Sequence, residues 1–141
     1  MAAPPVSEVI IIEEIQVDDE NVGKGVIALV CINRPSKLNA LNSDVMSGLK
    51  AMCNWVENQD KIRLVIIKGA EPLQPDEGKR AKPNAFVAGA DISEFAGKKS
   101  SDIRQSFKDN AWEEIWNLSK PTIAMVDGFT LGGGLEVACS C

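Results

Sequence analysis

Between Gly128 and Ala138 the chain reads GFTLGGGLEVA, a triple glycine set directly before an apolar segment that carries one carboxylate, Glu136. A glycine-rich turn that opens a helix presents backbone N–H groups without intrahelical partners, at the positive end of the aligned peptide dipoles. Such a turn can hold developing negative charge, either a phosphate or the oxyanion of a reacting carbonyl. A second glycine turn, Ala88-Gly89-Ala90-Asp91-Ile92, also follows a short apolar stretch. Each turn can offer one donor, the N–H of Ala90 and the N–H of Gly133, and two convergent donors make an oxyanion hole. Losing one such donor raises a barrier by about 2.7–4 kcal/mol. The matching chemistry passes through an enolate or a tetrahedral adduct at a carbonyl, most naturally a thioester. Glu136 is then a candidate acid or base; on its own, a carboxylate there also complements the helix dipole.

Other chemistries fit less well. The segment GGGLEV lacks the Lys-Ser/Thr of a P-loop, and the third position of a dinucleotide fingerprint that begins Gly132-x-Gly134 is Val137. The chain has no His, which excludes Ser-His and Cys-His nucleophilic machinery within it. Its four cysteines (Cys31, Cys53, Cys139 and Cys141) match no zinc spacing. No metal and no separate cofactor is expected. Cys31 and Cys53 fall within apolar periodic segments and read as reduced core thiols of a cytoplasm-like compartment, with mitochondrion and peroxisome left open.

Positioning two glycine turns requires strands that end at them. Val9–Val17 and Val26–Asn33 read as strands joined by a turn over Asp18–Gly25, closed by Arg34-Pro35. Ser43 with Asp44 reads as an N-cap and first turn, and Val45, Leu49, Met52, Cys53 and Val56 recur at helical spacing as far as about Asn58. Gly48 inside that helix marks close packing. Ile62–Lys68 is a near-continuous apolar run, the signature of a buried parallel strand. The polar, Pro- and Lys-containing stretch from Gly69 to Asn84 is a long surface loop. Ala85–Ala88 resumes a strand. One helix is expected from Asp102, with Ile103, Phe107, Ala111, Ile115 and Leu118 on a stripe, and a last strand from Thr122 to Val126. The order is an α/β pattern with a mainly parallel sheet, whose carboxyl-terminal strand ends gather ligands.

With 141 residues and 45% apolar content the chain holds one core, treated as a single unit over residues 1–141. A formal charge of −5 disfavours nucleic acid and anionic membrane surfaces as partners. No apolar run approaches the roughly 20 residues that span a bilayer. The start, MAAPPVSEV, lacks the basic segment of a secretory signal. The chain ends shortly after Glu136 inside an expected helix, and so reads as part of a larger machine.

Three runs in order, NRPSKLNAL (Asn33–Leu41), AFVAGADISEF (Ala85–Phe95) and KPTIAMVDGFTLGGGLEVA (Lys120–Ala138), resemble the crotonase, or enoyl-CoA hydratase/isomerase, superfamily. The resemblance covers nearly the whole chain from about Val26. It implies a spiral of ββα units, of which this chain is the amino-terminal part, assembled as a homotrimer or hexamer. It also implies an acyl-CoA thioester substrate, with coenzyme A a portion of that substrate. By the same resemblance Ala90 and Gly133 donate the oxyanion hydrogen bonds. Ser36, Lys37 and Leu38, with Ala88, Asp91 and Ile92, match segments that line the coenzyme A site. Glu136 matches the first of two glutamates that hydratases use on the attacking water; the second would lie in the next unit, beyond Cys141. The expected function is enoyl-CoA hydration by the full-length form, the chain alone being inactive. The alternatives are a double-bond isomerase, the amino-terminal part of a multifunctional fatty-acid oxidation enzyme, and a non-catalytic or RNA-binding relative. The Gly69–Asn84 loop exceeds the short link usual in that superfamily.

Structural readings stand beside several of these roles. Asp91 can cap the segment after its glycine turn. Lys37 and the Lys79/Arg80/Lys82 cluster can be solvated, or contact the coenzyme's phosphates. Trp112 and Trp116, four apart on a helix, read first as packing residues.

Overall fold

Strand β2 (Gly23–Ile32) alternates strictly: Val26, Ala28, Val30 and Ile32 are buried, and the residues between them are half-exposed. That period of two turns one face of the strand to the core. In the computed structural model, which describes residues 3–108 and 110–141, β2 pairs antiparallel with β1 (Ile10–Asp19). The hairpin turn is tighter than the Asp18–Gly25 span expected. Both strands extend to the pair Asp19 and Gly23. The Asp19 carboxylate closes the turn by accepting the N–H groups of Asn21 (2.8 Å) and Val22 (3.2 Å), and Gly23 sits at φ 87°. An aspartate that satisfies the backbone two and three residues on shortens what composition alone marks as loop.

Helix α1 (Ser43–Glu57) buries Val45, Leu49, Met52, Cys53, Trp55 and Val56. Its N-cap is Asn42, not Ser43: the Asn42 side chain accepts from the Val45 N–H at 3.0 Å. Ser43 is instead engaged by another element, described below. A Cβ on Gly48 would fall 2.5 Å from Ile10 Cγ1, so the glycine lets α1 approach β1, as its position inside the helix suggested. Burial pushes the Cys53 thiol up to about 12, with the Glu114 charge adding to the shift. Cys31 is only half-buried, so the expectation of two core thiols holds for Cys53 alone.

Strand β3 (Ile62–Gly69) is parallel to β2, and β5 (Thr122–Met125) is parallel to β3, giving the sheet order β1-β2-β3-β5. The expected burial of β3 on both faces is corrected: Ile62, Val65 and Ile67 are buried, but Leu64 and Ile66 are partly open. β5 leaves Ile123 and Met125 exposed. Strand β4 (Ala85–Val87) pairs in parallel with β6 (Phe129–Thr130), a two-residue strand that composition did not reveal. The expected helix from Asp102 to Leu118 is two helices, α2 (Ser100–Lys108) and α3 (Trp112–Trp116). The Asn110 side chain accepts the Trp112 N–H at 3.2 Å, an Asx turn that restarts the chain. The Phe107 side chain, expected on the stripe, lies outside the described residues. Helix α4 (Gly133–Cys139) follows β6. The order is thus ββα three times, β1-β2-α1, β3-β4-α2-α3 and β5-β6-α4, the mainly parallel α/β architecture expected. No helix among the described residues is long and apolar enough to cross a membrane.

Candidate active site

The two glycine turns meet because β4 and β6 are neighbours. Along β4, the Val87–Ala88 peptide sends its carbonyl to the Leu131 N–H (3.1 Å), and its own N–H to the Leu38 carbonyl (3.1 Å). Two residues on, the Gly89 carbonyl accepts from the Leu41 N–H (2.8 Å), and the Asp91 N–H donates to the Leu41 carbonyl (2.7 Å). Leu41 and Ala90 are therefore bridged in parallel. No described peptide is cis. A trans peptide whose carbonyl points to Leu41 directs its N–H the other way, so the Ala90 N–H faces the β6 side. Gly89 adopts φ 112°, a conformation that L side chains resist.

The second turn obeys the same logic. Gly132 takes φ 49° and ψ −121°, and the Gly134 N–H returns to the Leu131 carbonyl at 2.9 Å, a type II′ turn. The Gly132 carbonyl is directed into α4, where it accepts from Leu135 (2.9 Å) and Glu136 (3.2 Å). The Gly133 N–H on the same peptide consequently points out of the helix start. Neither the Ala90 N–H nor the Gly133 N–H donates to an acceptor among the described residues. Both residues line one cavity of about 190 Å³. A Cβ on Gly133 would sit 2.9 Å from Leu41 Cδ1, 3.7 Å from Glu136 Oε2 and 3.9 Å from Trp112 Cζ3. A side chain at this position would therefore crowd Leu41 at the cavity, and the Glu136 carboxylate lies close to the same point. Glu136 is exposed, and its carboxylate has no hydrogen-bond or ion-pair partner among the described residues.

A polar frame sets these peptides. Pro35–Lys37 is a single 3-10 turn, ended by Leu38 (φ 51°) and Asn39 (φ 55°) in the left-handed region. Asn39 is buried; its Oδ1 accepts the Arg34 N–H, and its Nδ2 donates to the carbonyls of Ala70 (3.0 Å) and Ala85 (2.8 Å). Arg34 donates from Nη1 to the Ala40 carbonyl (2.7 Å) and from Nη2 to Asp91 Oδ2 (2.9 Å). The Ser93 hydroxyl and the Arg34 guanidinium together hold the Asp91 carboxyl down to about 2. Asp91 caps the 3-10 turn Ile92–Phe95 through the Ser93 N–H, so its carboxylate is spent on the frame. From that turn Glu94 accepts from the Ser43 N–H (3.0 Å) and hydroxyl (2.7 Å), tying it to the start of α1.

Of the residues singled out in the sequence, Ala90 and Gly133 line the cavity, and the Glu136 carboxylate lies near Gly133 without lining it. Ser36, Lys37, Leu38, Ala88, Asp91 and Ile92 do not line the cavity. They lie on the segments flanking Leu41 and Ala90, where the Lys82 ammonium from the long loop donates to the Ser36 carbonyl at 2.5 Å and Ile92 is exposed. Ten of the twelve residues that line the cavity were not anticipated, among them the apolar Leu41, Met46, Phe95 and Trp112 and the polar Asn42, Ser43, Ser47, Lys50, Glu94 and Lys98. Only the motif order around Leu41 and Phe95 could have pointed to two of them.

The profile of the family described as enoyl-CoA hydratase/isomerase matches residues 23–141. The chain belongs to this family. It is similar to the short-chain enoyl-CoA hydratase of Clostridium acetobutylicum, 39% identical over 120 residues, which are 84% of this chain and 42% of that protein. It is 33% identical over 117 residues to the crotonyl-CoA hydratase of Syntrophomonas wolfei, covering 82% of this chain and 41% of that one. Its fold is similar to the crystal structure of an enoyl-CoA hydratase from Bacillus anthracis, with a TM-score of 0.73 and 25% identity over 92% of this chain and 45% of that one. The chain therefore spans less than half the length of the hydratases it matches.

Proposed function

We propose that the site adds water reversibly across the 2,3-double bond of a trans-2-enoyl-CoA thioester. One observation carries the reading: the N–H groups of Ala90 and Gly133, each turned away from its own carbonyl's partner, line the same cavity without an internal acceptor. Placed on the thioester oxygen, two such donors stabilise the enolate that forms when water adds at C3. Glu136, beside Gly133, is the group on this chain that can orient the water and take its proton. The flanking segments with Ser36, Lys37, Leu38, Ala88 and Ile92 would receive the coenzyme portion, with Asp91 setting their shape. By the family pattern the second glutamate comes from the next unit, and the whole protein works as a homotrimer or hexamer. The four unpaired cysteines support a reducing compartment, the cytoplasm in our reading. One observation favours an isomerase as the second reading: Glu136 brings one unengaged carboxylate close to Gly133, and moving a double bond needs only one.

The test is hydration of crotonyl-CoA by the whole protein and by its Glu136→Gln variant. Loss of a general acid–base group lowers kcat by about 10²–10⁴-fold. Full hydratase activity in the variant overturns the assignment, and isomerisation of a 3-enoyl thioester without hydration selects the second reading.

A further inference from the structure

Arg34 stands two peptide units behind one of the two oxyanion donors. Its Nη1–H donates to the Ala40 carbonyl at 2.7 Å. The N–H of that same peptide, carried by Leu41, donates to the Gly89 carbonyl at 2.8 Å. The N–H at the other end of the Gly89 carbonyl's peptide belongs to Ala90, the donor without an acceptor at the cavity. Guanidinium, peptide, peptide and open N–H therefore form one head-to-tail line that begins on a cation and ends at the cavity.

Hydrogen bonds in such a line polarise one another, each gaining about 10–30% in strength. A cation at the carbonyl of a peptide draws electron density toward that oxygen and leaves the opposite N–H a stronger donor. The Arg34 side chain is only 15% exposed, so water screens its charge weakly. Its counter-charge does not cancel it. Asp91 meets the other branch of the fork, Nη2, at 2.9 Å, and spreads its own charge onto the Ser93 hydroxyl (2.6 Å) and N–H (3.2 Å). The two oxyanion donors are thus supported differently. The carbonyl of the Gly133 peptide accepts the first N–H groups of α4, at the positive end of that helix. Ala90 precedes only the four-residue 3-10 turn Ile92–Phe95, and the cation stands in for a helix.

We infer that Arg34 is a positioning residue that strengthens the Ala90 N–H through the Ala40–Leu41 and Gly89–Ala90 peptides, so that its charge reaches the thioester oxygen as that oxygen becomes negative. This inference rests on the proposed thioester function. A merely mechanical tie differs from it in sign at Asp91. Asp91→Asn keeps an oxygen for Arg34 and Ser93 but removes the counter-charge, which frees more of the guanidinium's pull for the relay. For a mechanical tie the same change only loosens the Ala90 peptide.

The test reads the carbonyl stretch of carbon-13-labelled butyryl-CoA in saturated complexes of the whole protein, alongside hydration of crotonyl-CoA. Arg34→Gln keeps a neutral donor for the Ala40 carbonyl and removes the charge. It should move the stretch up toward its value in water. It should also lower kcat about two- to eightfold, the 10–30% share of a donor worth about 10²–10³ in kcat, with KM less affected. Asp91→Asn should move the stretch further down than in the wild type, and by less in the Arg34→Gln background. Asp91→Asn retains Arg34, and it carries the test by itself where Arg34→Gln does not fold. An unmoved stretch in Arg34→Gln, an upward move in Asp91→Asn, or an Asp91→Asn effect equal in both backgrounds overturns the inference and leaves the thioester reading standing. Failure of the wild type to lower the stretch at all overturns that reading, and this one with it.

Discussion

Replacing Asp91 by Asn removes one negative charge from the tie that fixes the Ala90 peptide, while keeping a side chain that can still accept a hydrogen bond from Ser93. The Asp91 and Arg34 side chains are only 9% and 15% exposed, so their interaction is sheltered from water. The Asp91 carboxyl is lowered from 3.8 to about 2 by the Ser93 hydroxyl and then by Arg34. At 1.36 kcal/mol per pKa unit, the charged form is stabilised by on the order of 2 kcal/mol, reduced to about 1–2 by residual solvent access. The sign follows from the direction of the shift. A depressed acid contributes its full stabilisation above its unfolded pKa near 4, and loses it as pH falls through its folded value near 2. Urea unfolding of the wild type and Asp91→Asn at pH 6, 4, 3 and 2.5 should show a gap of about 1–2 kcal/mol at pH 6 that narrows below pH 4, to roughly half at pH 3 and about a third at pH 2.5. Comparing the two proteins cancels the titration of the other carboxylates. A gap that stays constant with pH, or no gap at pH 6, would refute the claim that this ion pair stabilises the fold.

Asn39→Leu keeps the side-chain volume but orphans the Arg34 N–H and the Ala70 and Ala85 carbonyls, so a loss of about 2–4 kcal/mol is expected in the same unfolding assay. Gly134→Ala would set a methyl 2.8 Å from Val87 Cβ and onto the Val87 carbonyl, a backbone group that cannot step aside. The expected result is a destabilisation of about 1–3 kcal/mol together with weaker thioester binding, both checked on one purified variant. Alkylation at pH 8 followed by peptide mass spectrometry should label exposed Cys139 first and Cys53 last, since the Cys53 thiol is pushed up to about 12.

Much of this architecture was legible because local chemistry and fold agreed. Alternation in β2 and the helical stripe of α1 each identify an element whose buried face is its sequence pattern, whereas the apolar run of β3 marked the strand but not that only one of its faces is buried. The turns around Gly89 and Gly132 were visible because positive φ at both positions demands glycine. The sequence does not display pairings that join distant residues. Arg34 and Asp91 are 57 positions apart, and Ser43 and Glu94 are 51 apart, and neither pair leaves a periodic trace. Those long-range bonds also moved local features: Ser43 binds Glu94, so the cap passes to Asn42. The break between α2 and α3 was missed because the apolar stripe continues across it, and the one local signal is the Asn110 side chain. Trp112 read as a packing residue, and it does pack on the core; its second role at the cavity depends on where β6 brings Gly133.

The central claim is that the Ala90 and Gly133 peptides together polarise a thioester carbonyl, and vibrational spectroscopy of the bound carbonyl reads it most directly. In a Raman or infrared difference spectrum of butyryl-CoA labelled with carbon-13 at the carbonyl, binding to the whole protein should move that stretch to lower frequency than in water. An unshifted or higher frequency in the saturated complex would contradict the account.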